Sequence, residues 1–386
     1  MRTTNPQLHR RRALLLFGLL VAVATLAASA ACDAARASAP SGFVGTVLPF
    51  ASRCGLLDHG DGCLSDQDLD RMQEAHVRIV RWGFRWSRVQ PLRLLPPDWR
   101  VTDAVIGSLA NRGISVLPVL TAPPSWAAKT HRTPPLDSPA ARDGWRRFVT
   151  AAVDRYGLGG EFWKSRYGRL FPGGPIRPIT SWQVWNEQNL GKTFPPRPSP
   201  HRYSKLVRIT DDAVETQDPN ARVVLGGMPG YVHPRAWVYL DHLYRQPGIK
   251  GRFDAVALHP YAPDVRHVKL QIERVRRVMR AHHDAHSPLW ITELGWGSES
   301  ADWFGINVGG QGQKRMLKRA FSGLVARRHR WRLAHVFWFD WRDPRRGWVA
   351  AASANPLACS HTPRNRSRPG TPSSESPNPL ARRQRS

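Results

Sequence analysis

Short apolar segments alternate with longer amphipathic segments across residues 43–343. The apolar segments are rich in β-branched and aromatic residues and are bounded by Gly, Pro or polar residues, which is typical of buried strands. Eight strands are predicted in this way, and they cover residues 42–48, 77–82, 114–120, 180–186, 222–228, 255–260, 289–294 and 334–341.

Helices are predicted between these strands, because apolar residues recur there with a helical period. Ser65 is a suitable N-cap for the first predicted helix, and Gly157 is a suitable end for the second. Alternating strands and helices favour a parallel sheet with crossover helices, and eight such units in about 300 residues predict an α/β fold of the (β/α)8 TIM barrel type. No Gly-rich phosphate loop follows the first strand, which argues against a dinucleotide-binding fold. The predicted helices cover residues 65–75, 137–157, 199–219, 271–286 and 312–331.

The N-terminal residues 1–31 have the pattern of an export signal peptide. Basic residues at Arg10–Arg12 precede a long uncharged apolar stretch, which ends in the small residues Ala28–Ala30. The stretch is also long enough for an uncleaved membrane anchor, although its small-residue ending favours cleavage. Cys32 resembles the cysteine of a bacterial lipobox without the usual Leu, so a lipid on Cys32 is an alternative. We expect an exported bacterial protein, secreted or at the cell surface, with residues 32–42 as a linker.

Export permits disulfide bonds, and the chain has four cysteines. Cys54 and Cys63 flank a loop rich in Gly and Asp, so we expect a local disulfide between them. One His and two Cys in this loop do not have the spacing of zinc ligands, and no metal site is expected. Cys359 is left without a predicted partner.

The formal net charge of +28 is typical of proteins that bind nucleic acids. However, the chain has no nucleic-acid-binding motif, and its basic residues form no long run between the termini. A general preference for Arg explains the charge better, and no nucleic-acid partner is expected. Attraction to an acidic polysaccharide or to an anionic surface stays open. The 16 Trp suit both sugar stacking and core packing, so their number alone decides nothing.

Polar residues mark the ends of several predicted strands, where a TIM barrel carries its active site. Glu187 ends strand four and Glu293 ends strand seven, so the two carboxylates should face each other nearly across the barrel mouth. A single Glu at such a position could simply pair with an Arg. Two of them, together with Asn186 and His259-Pro260-Tyr261, fit a catalytic site better.

Two carboxyl groups can cleave a glycosidic bond when one is protonated and the other ionised. If they stand about 5–5.5 Å apart, the ionised group can attack the sugar directly and configuration is retained. We expect Arg81 to keep Glu293 ionised and Tyr261 to orient it. Asn186 could donate a hydrogen bond to a sugar 2-hydroxyl, and the amides around Glu187 are interpreted as sugar contacts.

These motifs resemble those of the clan A glycoside hydrolases. "VWNEQN" (184–189) is similar to the acid/base motif of the clan, and "WITELGW" (290–296) is similar to its nucleophile motif. The segments "VRIVRWGFRWSRVQP", "PPSWA" and "FWFDWRD" most resemble family 39 and related family 5-like bacterial enzymes. The resemblance implies Glu187 as acid/base and Glu293 as nucleophile. It also implies that the substrate contacts Arg81, Trp126, Asn186, His259, Tyr261, Trp296, Trp338 and Trp341.

The function that the resemblance implies is hydrolysis of a β-linked oligo- or polysaccharide by double displacement, without a metal or an organic cofactor. One alternative is a carbohydrate-binding barrel that has lost activity. Another is a transglycosylase that uses the same two glutamates. In each case the expected partner is a carbohydrate, and membrane contact is expected only through the export signal or a lipid on Cys32.

The C-terminal segment departs from the pattern of these enzymes. After Asp343 they continue into a final amphipathic helix, whereas here Ser, Pro and Arg dominate residues 351–386 without a helical period. This composition predicts a disordered basic tail, or a C-terminus altered by a shifted reading frame near residue 350. The barrel domain is therefore assigned to residues 43–350.

Overall fold

The computed structural model of the protein describes residues 39–48, 64–299 and 305–342. All eight predicted strands are confirmed within these ranges, the fifth as two short pieces separated by Gly226 and Gly227. The strands are β1 (Val44–Val47), β2 (Ile79–Arg85), β3 (Ser115–Thr121), β4 (Ser181–Val184), β5 (Arg222–Leu225), β6 (Met228–Pro229), β7 (Val256–His259), β8 (Leu289–Leu294) and β9 (Leu333–Trp338).

Neighbouring strands pair in parallel, and the first strand pairs with the last. β1 pairs with β2 on one side and with β9 on the other. β5 pairs with β4, and Val224 in β5 forms a parallel bridge to Ala255, next to β7. β6 pairs with β7. The two pieces of the fifth strand thus close the ring, and the predicted (β/α)8 barrel is confirmed.

Helices connect the strands, as the crossover pattern requires. The five predicted helices are present, and the structure adds two longer ones, Arg100–Asn111 and Ala236–Tyr244, and two single turns, Trp86–Val89 and Tyr167–Leu170. A π-helical turn, Phe162–Arg166, directly precedes the second of these single turns. The helices are α1 (Asp66–Glu74), α2 (Trp86–Val89), α3 (Arg100–Asn111), α4 (Pro139–Tyr156), α5 (Tyr167–Leu170), α6 (Pro200–Gln217), α7 (Ala236–Tyr244), α8 (Val265–Ala281) and α9 (Gly309–Trp331).

Several helices begin where a side chain caps them. Ser65, Ser138 and Ser199 each accept a hydrogen bond from the backbone N–H three residues later, at 3.1, 3.1 and 3.2 Å. α8 begins at Val265 rather than at residue 271, because Asp264 accepts the backbone N–H of His267 at 2.9 Å and serves as its cap. Local sequence therefore sets these helix starts.

The core has two layers, one inside the barrel and one between the strands and the helices. The outer layer contains fully buried indoles, including Trp145, whose Nε1 donates to Thr210 Oγ1 at 2.9 Å. Many of the Trp are therefore packing residues. The inner layer consists of Val47, Ile79, Leu117, Val224, Ala255, Ala257, Trp290 and Phe337.

The predicted export signal, linker residues 32–38, the proposed Cys54–Cys63 disulfide, Cys359 and residues 351–386 lie outside the described residues. The chain divides into two units, Met1–Arg345 and Arg346–Ser386, and the second is wholly outside the described part. In the described ranges, no helix combines the length and apolarity that crossing a membrane requires.

Candidate active site

Arg81 is the centre of a buried hydrogen-bond network inside the barrel. Its Nη1 donates to Glu293 Oε1 at 2.7 Å, its Nη2 to Asn186 Oδ1 at 2.6 Å, and its Nε to Gln183 Oε1 at 2.6 Å. The side chain is fully buried. Arg81 lies in the middle of β2 rather than at its end, because the strand continues to Arg85. One guanidinium thus connects β2 with the ends of β4 and β8.

Glu293 lies near the end of β8, where the pairing with β9 shifts register between Ile291 and Leu294. Such an irregularity bends a strand and redirects its side chains. The carboxylate is buried, and its second oxygen accepts a hydrogen bond from Tyr261 Oη at 3.0 Å. Both of its oxygens are therefore held, one by a guanidinium and one by a phenol.

Glu187 follows β4 in a constrained turn. Trp185 and Glu187 have φ angles of 71° and 52°, in the left-handed region that costs a non-glycine residue about 1–2 kcal/mol. The turn is held by the Glu187 N–H, which donates to Gly227 O at 3.0 Å, and by Thr193 Oγ1, which donates to Glu187 O at 2.6 Å. Backbone held in such a conformation is common at functional sites.

The environment of Glu187 favours its neutral form. Burial raises the pKa of the Glu187 carboxyl group, and the positive charges of Lys192 and Arg81 oppose this rise without cancelling it. Glu293, in contrast, forms a 2.7 Å ion pair with Arg81. The two carboxyl groups therefore meet different electrostatic surroundings.

His259 lies between the two carboxyl groups. Its Nδ1 is 3.3 Å from Glu187 Oε1 and 3.5 Å from Glu293 Oε2. Burial lowers the pKa of His259 to about 3, although the charge of Glu293 acts in the opposite direction, so the imidazole is neutral at physiological pH. One oxygen of Glu187, one nitrogen of His259 and one oxygen of Glu293 all lie within 4.8 Å of one another.

Glu187, His259 and Glu293 also offer a set of ligand atoms that a divalent cation could use. Among the described residues, they form the one group of three His, Cys, Asp or Glu side chains that converge in this way. The guanidinium of Arg81 already contacts Glu293 at 2.7 Å, and this positive charge disfavours a second cation beside it. The expectation that the site works without a metal stays a prediction.

Tyr231 and Phe339 are additional aromatic residues at the site that the sequence did not indicate. The ring of Tyr231 meets the ring of Tyr261 edge to face at 6.3 Å, and Phe339 meets Tyr261 from another side at 6.3 Å. Burial, together with the charges of Glu187 and Glu293, raises the pKa of Tyr231. Tyr231 follows β6 in an irregular segment, "MPGY", so no periodic signal marks it.

Two of the amides beside Glu187 do not face the site. Gln188 and Asn189 are fully buried, and their amide groups donate to backbone carbonyls of Gly226, Pro229 and Pro234 at 2.8–3.0 Å. The interpretation of these amides as sugar contacts is therefore wrong for these two residues. They attach the Glu187 turn to the fifth strand.

Trp296 and Trp338 lie close together at the ends of β8 and β9. Their ring centroids are 6.4 Å apart, and Trp296 Nε1 donates to Ala262 O at 2.8 Å. Trp296 is buried, whereas Trp338 is half-buried. The structure describes no hydrogen bond between either ring and the carboxyl groups, and their role in substrate binding stays a prediction.

Trp126 and Trp341 make their described contacts elsewhere. Trp126 packs edge to face on Trp86, with ring centroids 4.9 Å apart. Trp341 Nε1 donates to Asp68 Oδ1 of α1 at 3.2 Å. Of the predicted site residues, the structure thus brings together Arg81, Asn186, Glu187, His259, Tyr261 and Glu293.

The fold is similar to that of several solved structures. A family 39 glycoside hydrolase from the gut symbiont Bacteroides cellulosilyticus WH2 is 18% identical with a TM-score of 0.53, over 77% of this chain and 56% of that one. A glucosidase from Croceicoccus marinus is 15% identical with a TM-score of 0.54, over 79% and 61%. A β-galactosidase from the Antarctic haloarchaeon Halorubrum lacusprofundi is 15% identical with a TM-score of 0.50, over 78% and 53%.

At sequence identities of 15–18%, the structural similarity to these proteins shows a shared fold and nothing more. The alignments span between 53% and 61% of the length of these three structures. Neither a protein-family model nor a curated protein matches the chain.

Proposed function

We propose that the protein is a retaining glycoside hydrolase that cleaves a β-linked oligo- or polysaccharide. The observation that carries this proposal is the pair Glu187 and Glu293, whose nearest ligand oxygens lie within 4.8 Å in unlike surroundings. Retaining enzymes have carboxyl groups about 5–5.5 Å apart, and inverting enzymes separate them by about 6.5–9.5 Å to admit a water molecule. One oxygen of each carboxyl group lies within 4.8 Å of the other, and this close approach supports direct attack by one carboxylate.

The unlike surroundings support one distribution of the two roles. Glu187 is the general acid, because burial raises its pKa and keeps a proton available for the departing oxygen. Glu293 is the nucleophile, because it forms a 2.7 Å ion pair with Arg81 and accepts a hydrogen bond from Tyr261. Glu293 attacks the anomeric carbon as the glycosidic bond breaks, and the leaving oxygen takes the proton of Glu187. Glu187 then accepts a proton from water, which attacks the glycosyl-enzyme and releases Glu293.

The neighbouring groups orient these two side chains. Tyr261 Oη donates to Glu293 at 3.0 Å and directs the second oxygen toward the sugar. Arg81 donates to Asn186 Oδ1 at 2.6 Å, which leaves the Asn186 amide N–H groups for a sugar hydroxyl. His259, neutral and between the carboxyl groups, can donate a hydrogen bond without adding a full positive charge.

The family resemblance of the two Glu motifs supports the same proposal. The three similar structures are named as glycosidases of different kinds, so they do not indicate one sugar for this chain. The identity of the sugar depends on loops around the mouth. A panel of aryl β-glycosides is the direct route to it.

Truncating each carboxylate tests the two roles. Glu293→Ala should abolish turnover of all glycosides, because no other group forms the glycosyl-enzyme. Glu187→Ala should still form this intermediate from dinitrophenyl glycosides, whose leaving group needs no proton, and should then stall. Added azide needs no base, so it should restore turnover in Glu187→Ala and give the β-glycosyl azide from a β-glycoside. In Glu293→Ala any azide product should be the α-anomer.

The outcomes separate the alternatives. A β-azide from Glu293→Ala would reverse the two roles, and full activity in both variants would end the glycosidase proposal. A protein that binds oligosaccharides but turns over no aryl glycoside would be a carbohydrate-binding barrel. Transfer products that exceed hydrolysis products in the wild type would indicate a transglycosylase.

A further inference from the structure

A loop beside the barrel mouth presents three leucines to solvent. Leu92, Leu94 and Leu95 are 58%, 94% and 55% exposed, and every residue from 91 to 96 is exposed. The loop follows β2 and α2, so it lies at the carboxyl end of the barrel, where Glu187 and Glu293 are located. Contiguous apolar groups on the surface of a protein commonly mark an interaction site.

Hydrogen bonds hold this loop in one shape. The Asp98 N–H donates to Val89 O at 2.7 Å and closes its base. Gln90 Nε2 donates to Leu95 O at 3.0 Å and crosses its middle, while Gln90 Oε1 accepts from Trp86 Nε1 at 3.3 Å. The leucines therefore project from a fixed support, and the fold keeps them out of the core.

Two exposed arginines accompany the leucines, one before them and one among them in the sequence. Arg88 and Arg93 are exposed, and within the described residues neither forms an ion pair. Asp98 is the one acidic residue between residues 85 and 100, and it is paired with Arg100 at 2.6 Å. The loop thus combines exposed aliphatic side chains with an exposed arginine among them, Arg93, and another just before the loop, Arg88.

We propose that this loop docks on an anionic lipid bilayer, with the Leu92, Leu94 and Leu95 side chains among the upper acyl chains and Arg88 and Arg93 at the lipid phosphates. Exposed aliphatic side chains next to basic ones suit the interface of an anionic bilayer, where the first enter the acyl chains and the second attract the lipid phosphates. A sugar would be met by flat aromatic rings or amides, and residues 91–96 contain none. Docking would hold the barrel mouth next to the membrane surface.

Vesicle sedimentation of the full chain tests this proposal. The wild type should bind vesicles that contain phosphatidylglycerol, and binding should weaken at high salt or on pure phosphatidylcholine. The triple variant Leu92→Ser/Leu94→Ser/Leu95→Ser should lower the partition coefficient about ten-fold or more. Arg88→Gln/Arg93→Gln should lower it about five-fold for each arginine. All variants keep the apolar residues 13–31. Any contribution of those residues to binding therefore cancels when the partition coefficient of a variant is divided by that of the wild type.

Matched variants control for apolarity and charge. Leu158→Ser/Leu170→Ser/Ile176→Ser removes apolar side chains that are 69%, 38% and 57% exposed and follow α4 or precede β4, toward the amino end of the barrel. This triple should bind vesicles like the wild type. Arg277→Gln/Arg280→Gln removes two exposed charges from α8 and should change binding less than the loop pair does.

The remaining outcomes overturn the proposal. Equal binding by the loop triple and its control would show that the leucines do not insert. Absence of wild-type binding to the anionic vesicles would reject the proposal that the loop docks on a membrane. Self-association that only the loop triple abolishes would assign the loop to a second copy of the chain, and loss of glycan binding in that triple would assign it to the substrate. Hydrolysis of a small aryl glycoside should be the same in all variants. Failure of the membrane-docking proposal can therefore be distinguished from failure of the proposed glycosidase activity.

Discussion

Burial of the Glu187 carboxyl group outweighs the nearby positive charges of Lys192 and Arg81, and this balance affects the stability of the protein. Because burial raises its pKa above the usual value, the folded protein holds this proton more tightly than the unfolded chain does. The stability that the group contributes is complete below pH 4.5 and is lost as pH rises through the raised pKa. Glu187→Gln, which copies the neutral form, should therefore exceed the wild type in free energy of unfolding at pH 8 and match it at pH 4.

Urea unfolding of both proteins at the two pH values measures this difference. Glu74→Gln is the control, because Glu74 is an exposed carboxylate at the end of α1. It should behave like the wild type at both pH values. A Glu187→Gln protein that is less stable than the wild type at pH 8 would show that the surroundings stabilise the anion instead.

Gly227 allows His259 to occupy its position between the carboxyl groups. A Cβ atom at residue 227 would lie 1.9 Å from His259 Nε2 and 2.5 Å from Thr292 Oγ1. Gly227→Ala must therefore displace the imidazole, and a displacement of about 1 Å at a catalytic site can cost about 100-fold in rate. We expect kcat/KM for an aryl glycoside to fall by about that factor.

Gly310→Ala provides the comparison, because a Cβ atom at residue 310 would meet no other atom within 4 Å. Its kcat/KM should equal that of the wild type. Unchanged activity in Gly227→Ala would mean that the position of His259 is not needed for the reaction.

The positions of the charged site residues could be predicted, because parallel strands in a barrel end at one rim and Glu187, His259 and Glu293 end three of them. The function of Gln188 and Asn189 could not be read in the same way. Both are amides beside a carboxylate, and only the path of the fifth strand shows that backbone carbonyls bind them. The role of Trp341 likewise could not be predicted, because its indole N–H binds Asp68, which is distant in the sequence.

Among the helices, three that begin at a Ser cap were predictable, and α9 was predictable from its period alone, whereas α3 and α7 were missed. α4 and α6 begin with Ser-Pro, a sequence that sets both the cap and the first helical residue. α3 begins without a side-chain cap, and so does α7, whose segment "AWVYLDHLY" is largely apolar. Without a polar face or a start signal, periodicity alone does not separate such a segment from a strand.

Asp68 joins the first helix to the end of the last strand. Its carboxylate accepts the Ser65 backbone N–H at 3.0 Å, Trp341 Nε1 at 3.2 Å and Arg342 Nη2 at 2.6 Å. Asp68→Asn keeps the shape of the side chain but removes the charge that these donors share. We expect a loss of about 2 kcal/mol in the free energy of unfolding, since hydrogen bonds to charged groups contribute about 1.5–3 kcal/mol and Arg342 is partly exposed.

Asp66→Asn on the same helical turn is the control, because Asp66 is exposed and its ion pair with Arg112 lies at the surface. It should change stability by less than about 0.5 kcal/mol. Burial would raise the pKa of Asp68, but hydrogen bonds from Ser65 and Trp341 and the charge of Arg342 outweigh it and lower that pKa. The loss in Asp68→Asn should therefore shrink as pH falls below 3.8, and a loss that is independent of pH would contradict this account.

At the scale of the whole molecule, the ring of strands depends on close approaches that only small residues allow. The fifth strand divides at Gly226 and Gly227, so that one piece pairs with β4 and the other with β7. The sequence predicted one continuous strand here, because its apolar composition does not indicate which neighbour each residue meets. The barrel as a class was predictable from the alternation of elements, whereas the way in which it closes depends on contacts between distant segments.

The junction of the first and last strands offers a test of how strongly the barrel depends on closure. Gly45 in β1 lies opposite Phe337 in β9, and a Cβ atom at residue 45 would lie 2.5 Å from the backbone oxygen of Ile79 and 2.9 Å from the Phe337 ring. Gly45→Ala must separate β1 from β2 or from β9, and overpacking of this kind typically costs about 1–3 kcal/mol. Gly168→Ala in α5 is the matched change, since a Cβ atom there meets nothing within 4 Å, and it should leave stability equal or raise it by up to about 1 kcal/mol. Thermal unfolding followed by circular dichroism and by Trp fluorescence should show both signals of Gly45→Ala lost together at a lower temperature, because the strands share one interior core. If the two signals separated, or if both variants melted alike, the closure of the ring would not be what limits the stability of the barrel.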